Sequence, residues 1–151
     1  MGHQSRGSGT VKLRHTCWWC CNSSTGTFTW DRETGSKAPG SARAAKVSNG
    51  CFIQVYTVKP GEKYAVSGLT RVQGRGGSWL RIRWQTPEAK WTLQDRDIIV
   101  PPQAGEGWQP FFGVAEVPEG VGKLVILLGV GGQHTDADVA WFDDVHVNRL
   151  D

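Results

Sequence analysis

The sequence has almost nothing that would build a helix. No window sustains apolar residues at i, i+3, i+4 and i+7, so a helical core is not expected. No segment reaches the roughly eighteen apolar residues that a membrane helix needs, and no signal-peptide pattern is visible. Charge imbalance is small. Lys and Arg total 17 against 14 Asp and Glu, a formal net charge of +3 over 151 residues. That is too little for a general attraction to nucleic acid, and neither a nucleic-acid nor a membrane partner is expected. Tyrosine occurs only twice, as Tyr56 and Tyr64. No internal repeat stands out, and no acidic residue precedes Asp31.

What the chain does have is Gly (20) and Trp (8) in excess. Abundant Gly suits many turns and bulges, and strand signals recur every ten to fifteen residues along the chain. Thr27–Asp31 alternates. Ser41–Val47 is a weaker strand, and Cys51–Val58 is rich in β-branched and aromatic residues. Lys59-Pro60-Gly61-Glu62 has turn chemistry. Lys63–Val72 alternates, with Tyr64, Val66, Gly68, Thr70 and Val72 on one face. Ser78–Thr86 alternates more cleanly: Leu80, Ile82 and Trp84 share one face, and Trp79, Arg81, Arg83 and Gln85 the other. Lys90–Gln94 and Asp97–Val100 are short candidates. Phe111–Val117, Lys123–Val130 and Val139–Val147 complete the set, separated by Pro118-Glu119-Gly120 and Gly131-Gly132. About nine strands with turn-like connections predict an all-β fold, a two-sheet antiparallel β-sandwich. The length suits one domain. Residues 1–10 are polar and Gly/Ser-rich and read as a leader or linker, leaving 11–151 as a single domain.

Four cysteines occur, Cys17, Cys20, Cys21 and Cys51. Zinc ligation would need Cys20 and Cys21 to bind as neighbours, or His15 to join, a poor match to zinc spacing. A disulfide from Cys51 to one of the first three is open if the protein is exported, and so are free buried thiols.

Two groups of residues invite a functional reading. The first is the Trp79, Arg81, Arg83, Gln85 face. Sugars offer C–H faces that lie on aromatic rings, and hydroxyls that need directional donors and acceptors. The two guanidiniums would also suit an acidic sugar, while the plain alternative is a solvated strand face with Arg stems covering the indole. Trp30 and Trp91 are candidates to flank a groove, Gln133 and His134 lie on a loop that could border it, and Trp108 is expected to pack at the sandwich end. The second group is Asp143-Asp144. Adjacent carboxylates in an apolar strand are costly unless paired, hydrogen-bonded or metal-bound. As strand neighbours they should point to opposite faces, which argues against their acting together in catalysis.

The order of these features resembles a jelly-roll, galactose-binding-like carbohydrate-binding module, the group that includes families 4, 9 and 22. The resemblance rests on Gln54, Val58, Pro60-Gly61, Tyr64 and Val66-Ser67-Gly68, on Trp108 to Phe112 followed by Val117-Pro118-Glu119-Gly120, and on Trp141-Phe142-Asp143-Asp144-Val145. It covers about residues 26–150. It implies a non-catalytic module that binds a polysaccharide or oligosaccharide, and the reading of the residues puts that ligand on Trp30, Trp79, Arg81, Arg83, Trp91 and Gln133. It further implies a secreted, monomeric domain of a larger multidomain enzyme, with structural calcium held by Asp143 or Asp144. Such modules usually open on a strand whose acidic residue helps hold that calcium; the corresponding Val11–Cys21 has none. No Glu-x-Asp-x-x-Glu strand or Ser/His/Asp spacing supports catalysis. A lyase or hydrolase on this scaffold would need a base such as His134 or His146 near a tyrosine, and a protein-interaction domain is the further alternative.

Overall fold

The computed structural model describes residues 26–150 and the backbone of residues 19–20. The Val11–Cys21 opening apart from that pair, the leader, Trp18 and the cysteines at 17 and 21 lie outside the described residues. The described residues form eleven strands: β1 (Trp19–Cys20), β2 (Thr27–Asp31), β3 (Ser41–Ala45), β4 (Asn49–Thr57), β5 (Lys63–Gln73), β6 (Gly77–Gln85), β7 (Trp91–Thr92), β8 (Ile98–Val100), β9 (Gln109–Glu116), β10 (Lys123–Gly131) and β11 (Val139–Leu150). They make two antiparallel sheets. One runs β1-β4-β10-β6-β7 with β8 also on β6, and the other runs β2-β3-β11-β5-β9. This is the all-β sandwich the alternation predicts.

The core lies where the two apolar faces meet. Leu80, Ile82 and Trp84 of β6 point inward with Leu124, Ile126, Leu128 and Val130 of β10. Tyr64 and Val66 of β5, Phe111 of β9 and Phe142, Val145 and Val147 of β11 oppose them. The period-2 pattern of β6 is therefore obeyed residue by residue, buried and half-buried in turn. Phe142 ties the layers together, meeting Phe52 and Phe111 edge-to-face at centroid distances of 6.1 and 6.4 Å.

Backbone conformation explains where strands stop. Lys46 has φ 58°, so β3 ends at Ala45 rather than running on to Val47. Leu93 has φ 50° and cuts the Lys90–Gln94 candidate to the two residues of β7 before a 3-10 turn, Gln94–Arg96. Cys51 is disulfide-bonded, one of the two states its sequence context left open.

The closing strand departs from simple alternation. A β-bulge lies between Asp143 and His146, which pair with Leu69 and Ser67 of β5, and Asp144 has φ 54°. A bulge inserts a residue and re-aims side chains. Phe142 and Val145 are both buried, so Asp143 and Asp144 share the outer side. The expectation that the two aspartates face opposite ways is corrected by this extra residue.

Candidate functional site: a tryptophan–arginine face on the outer side of β6

β6 presents Trp79, Arg81, Arg83 and Gln85 away from the core, all of them half-buried. Beside it, β10 places Gly129 opposite Trp79 and Leu127 opposite Arg81. The two glycines of β10 are what seat the indole. A Cβ on Gly129 would collide with Trp79 Nε1 and come within 2.5 Å of Cε2, and one on Gly131 would come within 3.0 Å of Cη2. The ring therefore lies across the β10 backbone, where any larger residue would stand. Glycine inside a strand often marks such a close approach. Asn49, Gly50, Cys51, Trp79, Arg81, Leu127 and Gly129 line a shallow depression of about 180 Å³ there.

Further along β6 the arginines are organised by a carboxylate. β8 pairs Ile98 with Ile82 and Ile99 with Arg81, which brings the preceding Asp97 to the arginine side. Asp97 Oδ2 is 2.8 Å from Arg81 Nη2 and 2.9 Å from Arg83 Nε. The Arg83 guanidinium also stacks on Trp91, 4.2 Å from the ring centroid. Trp91 itself is 48% exposed and lies opposite Gln85 on β7. Trp84 anchors this corner from the core, its Nε1 donating to the Arg96 carbonyl at 3.2 Å. One edge of the sheet thus carries an exposed indole, two oriented guanidiniums and an amide. Sequence alternation marks Trp79, Arg81, Arg83 and Gln85. It misses Asp97, Asn49 and the glycine seat; the only available signal is Gly129-x-Gly131 in an otherwise apolar strand.

Two other sequence candidates lie elsewhere. Trp30 is on β2, in the opposite sheet, partly buried against the core. With Ser36, Lys37, Ala38, Pro39, Gly40, Asp143 and Asp144 it lines a separate 280 Å³ cavity. Gln133 is only 4% exposed. Its Oε1 accepts from the Val47 amide at 2.8 Å and its Nε2 donates to the Ala44 carbonyl at 3.4 Å. It closes the ends of β3 and β10 rather than facing a ligand. Trp108 packs against Ala45, Val139 and Trp141. Tyr56 and Tyr64 are both buried in the core.

Asp138, not singled out by sequence, holds the loops at the Trp79 end of the sheet. Its Oδ1 accepts from the Arg75 amide at 2.8 Å, and its Oδ2 from the His134 and Thr135 amides at 2.8 and 2.9 Å. These hydrogen bonds, Arg75 first, lower its carboxyl from 3.8 to about 2. Gly74 is required beside it: φ is +80°, and a Cβ would strike Asp138 Oδ1. The β5–β6 turn is thereby tied to the β10–β11 loop.

The Asp143–Asp144 pair is engaged by donors. Asp143 Oδ2 accepts from the Ser36 amide and hydroxyl, each at 2.9 Å, and its Oδ1 from the Asp144 amide at 2.8 Å. Asp144 Oδ2 meets Lys37 Nζ at 3.2 Å and its Oδ1 meets His146 Nε2 at 2.8 Å. The His146 hydrogen bond is the largest influence on Asp144; burial opposes it, Lys37 supports it, and the carboxyl is held below its usual range. Calcium takes six to eight oxygen ligands. Here all four carboxylate oxygens already face N–H or O–H donors, one of them an ammonium. Among the described residues no group of three or more His, Cys, Asp or Glu could hold a metal ion. Among the described residues, this donor set does not fit calcium.

No family model matches the sequence, and no curated protein matches it significantly. Solved structures do match, and they define the class of fold: the jelly-roll sandwich of carbohydrate-binding modules, as the sequence resemblance implies. The CBM22-2 xylan-binding domain of Paenibacillus barcinonensis Xyn10C superposes with a TM-score of 0.69 at 10% identity, over 95% of this chain and all of that one. The CBM22-1–GH10 modules of Clostridium thermocellum endo-1,4-β-D-xylanase 10B, complexed with xylohexaose, superpose with a TM-score of 0.72 at 13% identity. The enzymatically active domain of bacteriophage CBA120 tailspike protein 4 gives 0.71 at 13%. The matches cover 92% and 91% of this chain but only 28% and 20% of those two chains. At such identities the likeness establishes the fold.

Proposed function

We propose that this chain is a non-catalytic carbohydrate-binding module whose ligand lies along the outer face of β6, on Trp79 and Trp91, with Arg81, Arg83, Gln85 and Asn49 supplying hydrogen bonds. The observation that carries the reading is the Trp79 indole laid over Gly129 and Gly131 beside an open depression. A partly buried ring held flat by the strand beneath it is suited to stacking on a pyranose face. The arginines add donors for hydroxyls. The similar folds include modules described as xylan-binding and one complexed with xylohexaose, which supports a polysaccharide or oligosaccharide as the ligand.

In this reading the module acts as a secreted, monomeric part of a larger enzyme, and tethering raises the local concentration of the linked catalytic domain at its substrate. The Asp143–Asp144 pair serves as an ion-paired tie for the 32–40 loop and holds no calcium. The test of the binding function is a panel of soluble glycans titrated into the protein by calorimetry. At least one gives saturable binding that Trp79→Ala abolishes. Binding by no glycan, or binding untouched by Trp79→Ala and Trp91→Ala together, overturns the assignment. Release of reducing ends or of unsaturated products by the isolated chain would make it an enzyme instead.

A further inference from the structure

The two arginines of this face are not free to meet whatever arrives. Asp97 lies between them with its side chain 7% exposed, and one of its oxygens contacts both guanidiniums. Arg81 Nε and Arg83 Nε are buried without a geometrically good hydrogen bond. A carboxylate ligand binds arginine best through two parallel N–H···O bonds to a guanidinium edge. On Arg81 the Nη2 is taken and Nε is buried; on Arg83 the Nε side faces Asp97 and a flat face is covered by Trp91. Each keeps further N–H donors, including the Nη1/Nη2 edge of Arg83, and these stand beside the Asp97 carboxylate.

We propose that Asp97 is a specificity-determining residue that commits this face to uncharged glycans. The inference rests on the carbohydrate-binding reading above. Asp97 offsets one of the two positive charges. It also holds both guanidiniums through one oxygen, and places a negative charge immediately beside them. A sugar carboxylate approaching the same arginines meets an Arg81 donor already used and a like charge beside both guanidiniums. A neutral sugar needs only the remaining donors and the rings. Removing the carboxylate leaves two unanswered cations beside the aromatic platform, which is the composition of an acidic-sugar site.

The experiment compares wild type, Asp97→Asn and Asp97→Glu by affinity electrophoresis and calorimetry. The neutral set is xylan, β-1,4-galactan, mannan and mixed-linkage glucan; the acidic set is polygalacturonate and alginate. Each is measured in 50 and 300 mM salt, after far-UV spectra show the variants folded. Wild type binds a neutral polymer at least tenfold more tightly than either uronate polymer, with little salt dependence. Asp97→Asn loses at least tenfold of that preference and gains uronate binding that weakens in high salt. Asp97→Glu keeps the wild-type preference. If Asp97→Asn does not fold, the wild-type preference and its salt dependence decide the question. A wild type that favours uronates, or an Asp97→Asn with an unchanged neutral-to-acidic ratio, overturns the role of Asp97 while leaving carbohydrate binding intact. Binding to neither set overturns the carbohydrate reading itself, and the specificity proposal with it.

Discussion

Replacing Gly129 by alanine separates the ligand platform from the core. Gly129 does not have a positive φ, so the alanine backbone is tolerated there, and a strand interior even favours it slightly. The atoms nearest the new methyl all belong to the Trp79 indole: it lands on Nε1 and within 2.5 Å of Cε2, well inside the 3.5–4.0 Å of ordinary carbon contact. The indole is only half-buried, so it can swing off the strand at the lower end of the overpacking cost, about 1 kcal/mol. For a domain of this size that lowers Tm by about 3 °C. The displaced ring no longer meets the sugar. Loss of an aromatic stacking contact worth about 0.5–1.5 kcal/mol weakens binding about 2- to 12-fold. Differential scanning calorimetry reads the first effect, and titration calorimetry with tryptophan emission the second. A variant with wild-type affinity and unchanged emission would refute the seating of Trp79 as the binding platform. A fall in Tm beyond 10 °C would show that Gly129 serves core packing instead.

Other outcomes follow from the same geometry. Leu80→Ala, in the fully buried row of β6, costs about 2–5 kcal/mol by chemical denaturation, a much larger loss than Gly129→Ala. Asp138 has a folded value of about 2 against an ordinary 3.8. Its stabilisation is therefore present above pH 3.8 and disappears as pH falls through about 2. Asp138→Asn should lower Tm at pH 7 and flatten its decline between pH 4 and 2, and parallel curves for the two proteins would contradict this. Excess chelator leaves the melting curve unchanged, because the Asp143–Asp144 oxygens are taken by Ser36, Lys37, His146 and backbone; a drop of several degrees would reveal a bound metal.

The strands were largely legible because alternation is a local signal. In β5 and β6 the alternating rows match the burial residue by residue, apart from the exposed end of β5 at Val72 and Gln73. The bulge in β11 was not legible, since nothing in Asp143-Asp144-Val145 announces a left-handed Asp144. The site was readable only in part. Trp79, Arg81 and Arg83 share one strand, so periodicity groups them. Asp97 reaches them through the pairing of β8 with β6, a non-local contact with no pattern of its own. Trp30 and Gln133 show the converse failure. Their residue types suit sugar recognition, but topology sends Trp30 to the other sheet, and Gln133 is consumed in satisfying backbone at Ala44 and Val47. Buried polar side chains are normally spoken for in this way.

The decisive measurement is titration of wild type and Trp79→Ala with soluble glycans, neutral and acidic, followed by calorimetry on a fold verified as intact. Saturable binding by the wild type, lost in the variant while Tm stays within a few degrees, is the expected result. Equal binding by both proteins, or none by the wild type, would contradict a carbohydrate platform on β6.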